Sequence, residues 1–170
     1  MVDLGCWPGG WLQVAAAAVG ARGRVVGVDI DRVDPPINHE NVIAFQGDLA
    51  EASVIAALLD ALGGPADVLL CDAAPKLTGV RDADRANEAA LLEAIERALP
   101  ELLRPGGDAL VKILESAEAQ AVDKRLRARF TRAKSVRPAA SRPGTRERYL
   151  LAFGFRGSPK RGKTEKTAGP

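Results

Sequence analysis

The chain has 170 residues, of which 46% are hydrophobic, and a formal net charge of +2. That length suits one α/β domain with a real core and excludes two; no apolar run reaches membrane-spanning length and no signal peptide opens the chain, so the expected compartment is the cytoplasm. The small net charge hides an acidic body (residues 1–120, 9 basic and 19 acidic) and a basic end (residues 121–155, 10 basic and 2 acidic), which points to a polyanionic partner held on one side.

The chain opens on Met1-Val2-Asp3-Leu4-Gly5-Cys6-Trp7-Pro8-Gly9-Gly10-Trp11. Apolar residues run into Gly5, a Pro8-Gly9-Gly10 turn follows, and a periodic apolar run extends from Leu12 to Val19. This pattern predicts a buried strand, a glycine corner and a helix, the ligand-gripping corner of an open α/β sheet. Glycine suits the corner because a Cβ would hold the backbone away from a bound small molecule. Gly-x-Gly-x-x-Gly is absent and no Gly-Lys-Ser/Thr follows, so the corner is neither a dehydrogenase fingerprint nor a P-loop.

Val25–Asp29 is the second predicted strand, and it ends in a carboxylate. Asp29 stands far enough beyond the glycine corner to accept from a ribose diol; Asp31 and Asp34 are alternatives, although their place before Pro35-Pro36 suits turn formation. The single histidine, His39, falls in a Pro/Asn-rich loop and reads as solvated. A third strand over 42–46 leads to Gly47-Asp48. Asp48 is either an acceptor for an adenine amino group or the N-cap of a helix over 50–62. A fourth strand, from Pro65 through Cys71, runs into Asp72-Ala73-Ala74-Pro75. Cys6 and Cys71 each end an apolar strand, predicted to be neighbours, and read as buried free thiols.

Leu91, Leu92, Ile95, Leu99 and Leu102 recur at helical spacing, which predicts a structural helix over 83–103 that ends at Pro105-Gly106-Gly107. The fifth strand, 108–114, contains Lys112. A lysine inside an apolar strand is costly unless its ammonium is paired; the alternative is a lysine that snorkels at the strand end. In 119–130, Val122, Leu126 and Phe130 form one stripe and Arg125, Arg129 and Arg132 another, an amphipathic helix whose arginine face suits phosphate. A short strand over 133–136 and a closing strand over 148–155 follow. From residue 156 on, Gly, Ser, Pro and Lys dominate, and a disordered basic tail is expected.

Asp3-Leu4-Gly5-x-x-Pro8-Gly9-Gly10-Trp11 resembles the first motif of S-adenosylmethionine-dependent methyltransferases, specifically the FtsJ-type enzymes that methylate a 2′-hydroxyl of large-subunit ribosomal RNA. Asp67 to Pro75 with Gly79 is similar to the family's fourth motif, Cys71 standing where a small residue is common. Arg137-Pro138-x-x-Ser141-Arg142-x-x-Thr145-x-Glu147 is similar to a later motif, with Thr145 in place of Ser. The likeness runs from Val2 to Phe155.

The resemblance implies a Rossmann-like methyltransferase fold, a mostly parallel sheet with a final antiparallel strand, as one domain over 1–155 with a tail over 156–170. It implies S-adenosyl-L-methionine as cofactor, with Gly5, Gly9 and Trp11 around its methionine end, Asp29 near its ribose, Asp48 near its adenine and Asp72 beside the sulfonium. Asp72, Lys112 and Glu147 match the last three members of the family's Lys-Asp-Lys-Glu catalytic tetrad; no metal is implied. The tetrad has a chemical logic. A ribose hydroxyl is a poor nucleophile that must be aligned with the methyl group and lose its proton near the transition state. A neutral lysine can take that proton, whereas a charged one can only orient the oxygen. The family's first lysine lies upstream of the glycine corner where this sequence starts, and on that basis slow turnover is expected of the chain as written. The implied substrate is a uridine of ribosomal RNA presented in the large ribosomal subunit, and the chain is expected to be a monomer. The alternative from another class is a catalytically impaired RNA-binding or ribosome-assembly factor that keeps the fold. A small-molecule methyltransferase would leave the arginine-rich end unexplained.

Overall fold

In the computed structural model, residues 1–76, 78–114, 116–138 and 147–157 are described. Seven strands form one sheet: β1 (Val2–Leu4), β2 (Val25–Asp29), β3 (Val42–Gln46), β4 (Ala66–Cys71), β5 (Leu103–Leu114), β6 (Phe130–Val136) and β7 (Glu147–Phe155). Their order is β3-β2-β1-β4-β5-β7-β6. The first five run parallel, and β7 is antiparallel to both β5 and β6. The expected Rossmann-like sheet with an antiparallel closing strand is therefore present. The chain reverses its direction of winding between β1 and β4, which places the ligand crevice of such a sheet at the C-terminal ends of those two strands.

The helices are α1 (Gly10–Val19), α2 (Ala52–Leu62), α3 (Arg81–Leu102) and α4 (Ala117–Ala128). Alternation along the strands sorts the core into two faces. Val2, Leu4, Val26, Val28, Leu69, Val111 and Ile113 pack with Leu58 of α2, Leu92, Ile95 and Leu99 of α3, and Val122 and Leu126 of α4. Cys6 and Val25 pack with Leu12, Ala15 and Ala16 of α1 on the opposite face. Each fully buried Leu, Ile or Val contributes about 1.5–3 kcal/mol, so the three-helix face dominates stability. Among the described residues α1 is the one helix on its own face, and the strands beyond β4 are less covered there.

Several boundaries differ from those predicted. The helix after β3 begins at Ala52 with Glu51 as its N-cap, so Asp48 is not the cap; its Oδ1 accepts from Ala50 N at 2.8 Å in the loop before the helix. Pro105-Gly106-Gly107 does not separate a helix from a later strand. Leu103 already pairs with Ala66, and the register jumps before Val68 meets Asp108. Helix α4 starts at Ala117, capped by the Ser116 hydroxyl, which accepts from Ala119 N at 3.0 Å, and ends at Ala128. The next strand starts at Phe130, so Arg132 is a strand residue and not part of a helical arginine stripe.

Cys6 and Cys71 are free and buried, and burial pushes both thiols up to about 12. β1 and β4 are adjacent, Leu4 being level with Cys71, as expected. His39 is exposed. No helix among the described residues is long and apolar enough to cross a membrane. Ser141, Arg142 and Thr145 lie outside the described residues, as does the tail from 158 onward.

Candidate active site

The corner after β1 is held by backbone. Gly5 N donates to Val28 O at 2.8 Å, and Asp72 N donates to Leu4 O at 3.1 Å, which ties the ends of β1, β2 and β4 together. Gly5 has φ 81°, and a Cβ there would lie on the Ala73 backbone. The glycine is thus required first for strand-to-strand approach and only secondarily for ligand access. Gly9, at φ 107°, is the N-cap of α1, and a Cβ on it would meet Ile37 at 2.8 Å and Val33 at 3.2 Å.

Beside this corner lies an open cleft with about 560 Å³ of empty space. Gly5, Asp29, Asp48, Ala73, Pro75 and Lys76 line it, with Val28, Ile30, Leu49 and Leu91 supplying apolar wall. Ile30 is 48% exposed, a large apolar side chain left uncovered at the cleft. The Asp29 carboxylate is partly committed: Oδ2 accepts from Trp7 N and Oδ1 from Asp31 N, each at 2.9 Å. It therefore fixes the glycine corner to the end of β2, and each oxygen keeps a second acceptor position. Asp31 is exposed and pairs with Lys76 at 3.6 Å, an exposed contact that contributes little.

A second group adjoins the cleft through Asp72, the residue before Ala73. Lys112 Nζ lies 3.3 Å from Asp72 Oδ1, with the lysine side chain 10% exposed. The largely covered lysine is thus paired and does not snorkel. Tyr149 Oη donates to the same Oδ1 at 2.8 Å. Burial, then this bond, pushes the Tyr149 phenol well above its ordinary range, so it remains a donor. The Tyr149 ring stacks on Trp11 at 5.8 Å between centroids. Strand register explains the grouping: Lys112 is opposite Tyr149, and Leu114 is opposite Glu147, so Lys112, Tyr149 and Glu147 share the α1 face of the sheet.

The cleft thus brings Gly5, Asp29 and Asp48 together, while Asp72, Lys112, Trp11 and Tyr149 form the adjoining group; Gly9 lines neither and supports the corner from behind. Two residues escaped the sequence reading. Tyr149 is the single tyrosine of the chain, and only the β5–β7 register reveals its place. Asp3 is fully buried in β1; the reasoning applied to Lys112, a charge within an apolar strand, would have flagged it. The arginines divide as well. Arg125 pairs with Glu96 at 2.8 Å and Glu93 at 3.4 Å, and Arg129 donates to Glu96 O at 3.1 Å, so these two serve the α3–α4 contact. Arg132 lies over the Phe153 ring at 4.7 Å.

Comparison with known proteins bears on this geometry. The family model of FtsJ-like methyltransferases matches residues 1–155. The chain is 40% identical over 158 residues to ribosomal RNA large subunit methyltransferase E of Pseudomonas aeruginosa, a match that covers 92% of this chain and 75% of the relative. It is 36% identical over 162 residues to the protein of that name from Methanosphaera stadtmanae, covering 94% and 78%. Among solved structures, a ribosomal RNA methyltransferase from Plasmodium falciparum superposes with a TM-score of 0.78 at 25% identity, covering 92% of this chain and 86% of that one. The cleft, the glycine corner and the family match agree, and the chain belongs to the FtsJ-like methyltransferases, enzymes that use S-adenosylmethionine.

Proposed function

We propose that this protein methylates a ribose 2′-hydroxyl of ribosomal RNA, at a uridine presented in the large ribosomal subunit, and that it works in the cytoplasm as a monomer. The observation that carries the reading is the Lys112–Asp72–Tyr149 group beside a cleft walled by Gly5, Asp29 and Asp48. The relatives' names support the substrate.

The cleft fits the cofactor by the chemistry of its lining. Asp29, with an acceptor position open on each oxygen, would hold the ribose diol, and Asp48 would accept from the adenine amino group. Val28, Ile30 and Leu49 would cover the faces of the base. Gly5 would hold the methionine end, with Gly9 supporting the corner from behind and Trp11, stacked on Tyr149, beside it. Bound there, S-adenosylmethionine supplies an electrophilic methyl group. The protein's own task is to align the accepting oxygen. Asp72 fixes the Lys112 ammonium, and Tyr149 donates to the same Asp72 oxygen and so holds the carboxylate in place, which gives the lysine one orientation instead of many. Lys112 then orients the hydroxyl, and the proton that leaves as the bond forms would pass to the Asp72 carboxylate, since an ammonium has no lone pair to accept it. Glu147, on the same sheet face, completes the catalytic set proposed here.

Arg132 and Lys134 support an RNA path. Through β6–β7 pairing they are level with Phe153 and Leu151, and so share the face that carries Tyr149 and Lys112. Both are exposed. They replace Arg125 and Arg129, which are engaged with α3, as the groups that meet phosphate. Incubation with ribosomal subunits and methyl-labelled cofactor, followed by digestion to nucleosides, tests the reading. Label in 2′-O-methyluridine is expected. RNA binding without label would instead identify a ribosome-assembly factor.

A further inference from the structure

Trp7 enters the site as described only through its backbone. The chain has two tryptophans, one tyrosine and four phenylalanines, and of these Trp7 alone is exposed, at 56%. Trp11 stacks on Tyr149 and Phe130 packs on Phe155, whereas the Trp7 indole has no ring contact and no hydrogen bond among the described residues. An indole left in water forgoes the burial that the other aromatics obtain. Its main chain is nonetheless pinned: Trp7 and Pro8 are the central residues of a tight turn closed by Gly9 N, which donates to Cys6 O at 2.7 Å, and Trp7 N donates to Asp29 Oδ2 at 2.9 Å. The indole does not line the cofactor cleft. Strand register fixes what it stands beside. Leu4 is level with Cys71 and Cys71 with Val111, so Gly5, Asp72 and Lys112 are level at one edge of the sheet, and Trp7 is two residues beyond Gly5. In the sheet order Lys112 on β5 is two strands from β1, which leads to Trp7, and two strands from β6, which carries Arg132 and Lys134. Each step is about 10 Å across the sheet.

On the reading of ribosomal RNA as substrate, we propose that Trp7 is a stacking platform for an unpaired base of that RNA, at or next to the nucleotide whose ribose meets Lys112. Seating one ribose at Lys112 takes its nucleotide out of the base stack, and an aromatic face replaces part of the stacking so lost. A phosphate is poorly suited to this corner, because Asp29, Asp48 and Asp72 surround it with negative charge. The neutral face of an indole accepts a base without that repulsion, and accepts any base, since every base has a π-face. Phosphates are met instead by Arg132 and Lys134, on the far side of Lys112. The RNA is thus held at three points along the sheet edge: base at Trp7, ribose at Lys112 and backbone at β6.

Binding of the 170-residue chain to a short single-stranded oligouridylate, and to an abasic strand of the same length, separates stacking from charge, because both carry the same phosphates. The wild type should prefer the strand with bases. Trp7→Ala should weaken oligouridylate about fivefold or more, to the level of the abasic strand, and leave the abasic strand unchanged. Its salt slope should not move, since no phosphate contact is lost. Trp7→Phe should restore most of the preference and Trp7→Leu should not, because leucine keeps apolar bulk without a π-face. Affinity for S-adenosylmethionine should be unchanged in all three variants, because the bond to Asp29 comes from a backbone N–H that each substitution keeps. Equal binding of the two strands by the wild type, or binding of neither, overturns the proposal. Full rescue by leucine also overturns it, as does a loss confined to whole ribosomal subunits, which would place a protein surface against the indole. Should Trp7→Ala fail to fold, the wild-type preference and the phenylalanine–leucine pair decide. Label transfer to ribosomal subunits by the wild type judges the substrate reading separately; if the wild type neither transfers label nor binds RNA, that reading falls and this proposal with it.

Discussion

Asp3, wholly buried in β1 with neither carboxylate oxygen bonded among the described residues, makes a prediction about stability. An aspartate ordinarily near 3.8 is pushed up to about 7 in the folded protein. For an acid raised on folding, the native state keeps a proton that the unfolded chain gives up. Stability from this group is therefore complete below about pH 4 and is lost as pH rises toward 7. Each unit corresponds to about 1.4 kcal/mol, so a rise of roughly three units amounts to about 4 kcal/mol in full. Most of that loss falls between pH 5 and 8, roughly 2–3 kcal/mol. Asp3→Asn keeps the side-chain volume and removes the titration, at a cost of about 1–3 kcal/mol for an amide left unpaired. Urea denaturation of both proteins at half-unit steps from pH 5 to 8 separates the two effects. The variant is expected to start less stable at pH 5 and to meet or pass the wild type by pH 8. Parallel curves over the whole range would refute the argument, because every other titrating group is common to both proteins.

Three further predictions concern the site and its surroundings. Asp29→Ala should weaken S-adenosylmethionine by roughly 1.5–3 kcal/mol, the range for a charged hydrogen bond, and should also lower the melting temperature, because Trp7 N and Asp31 N lose their acceptor; calorimetry and thermal unfolding read the two effects, and unchanged affinity would sink the ribose assignment. Lys112→Ala should abolish methylation while cofactor affinity stays within about twofold, and Lys112→Met should fold normally, since an apolar chain of similar length replaces the ammonium and Asp72, 31% exposed, remains hydrated; labelled methyl transfer and circular dichroism are the readouts, and retained activity in the alanine variant would remove Lys112 from the mechanism. Arg132→Ala with Lys134→Ala should weaken RNA binding and flatten its salt dependence by about one slope unit for each phosphate no longer neutralised, whereas Arg125→Ala should leave that slope unchanged and lower stability only slightly, as expected of an exposed pair; the opposite pattern in filter binding across salt concentrations would return the RNA path to the helix.

Much of the fold was legible because the local signals agree. The apolar runs at 25–29, 42–46 and 67–71 each stop at a carboxylate or glycine turn, and such runs report burial directly. The glycine corner, Asp29, Asp48, Asp72 and Lys112 were legible for a related reason: each is a residue type that an apolar strand or tight turn admits only for cause. Boundaries were less legible. The chain continues from α3 straight into β5 at Leu103 because pairing with Ala66 outweighs the turn that Pro105-Gly106-Gly107 announces.

What remained hidden depends on pairing between distant segments. Tyr149 reads as an ordinary strand residue until the β5–β7 register sets it opposite Lys112 and within reach of Asp72. The arginine stripe had a genuine helical period, but a helix face has no meaning until its neighbour is known; α3 offers Glu93 and Glu96 there, and Arg125 pairs with them. Asp3 shows the division most plainly. Its sequence neighbours say only that an acid sits in a buried strand. That no partner among the described residues satisfies it, and that burial first, then Asp72 and Asp29, push it well above the usual carboxylate range, are properties of three strands brought side by side. Local preference is a sum over near neighbours in the chain, whereas electrostatics and register are sums over neighbours in space, and only the folded sheet supplies those.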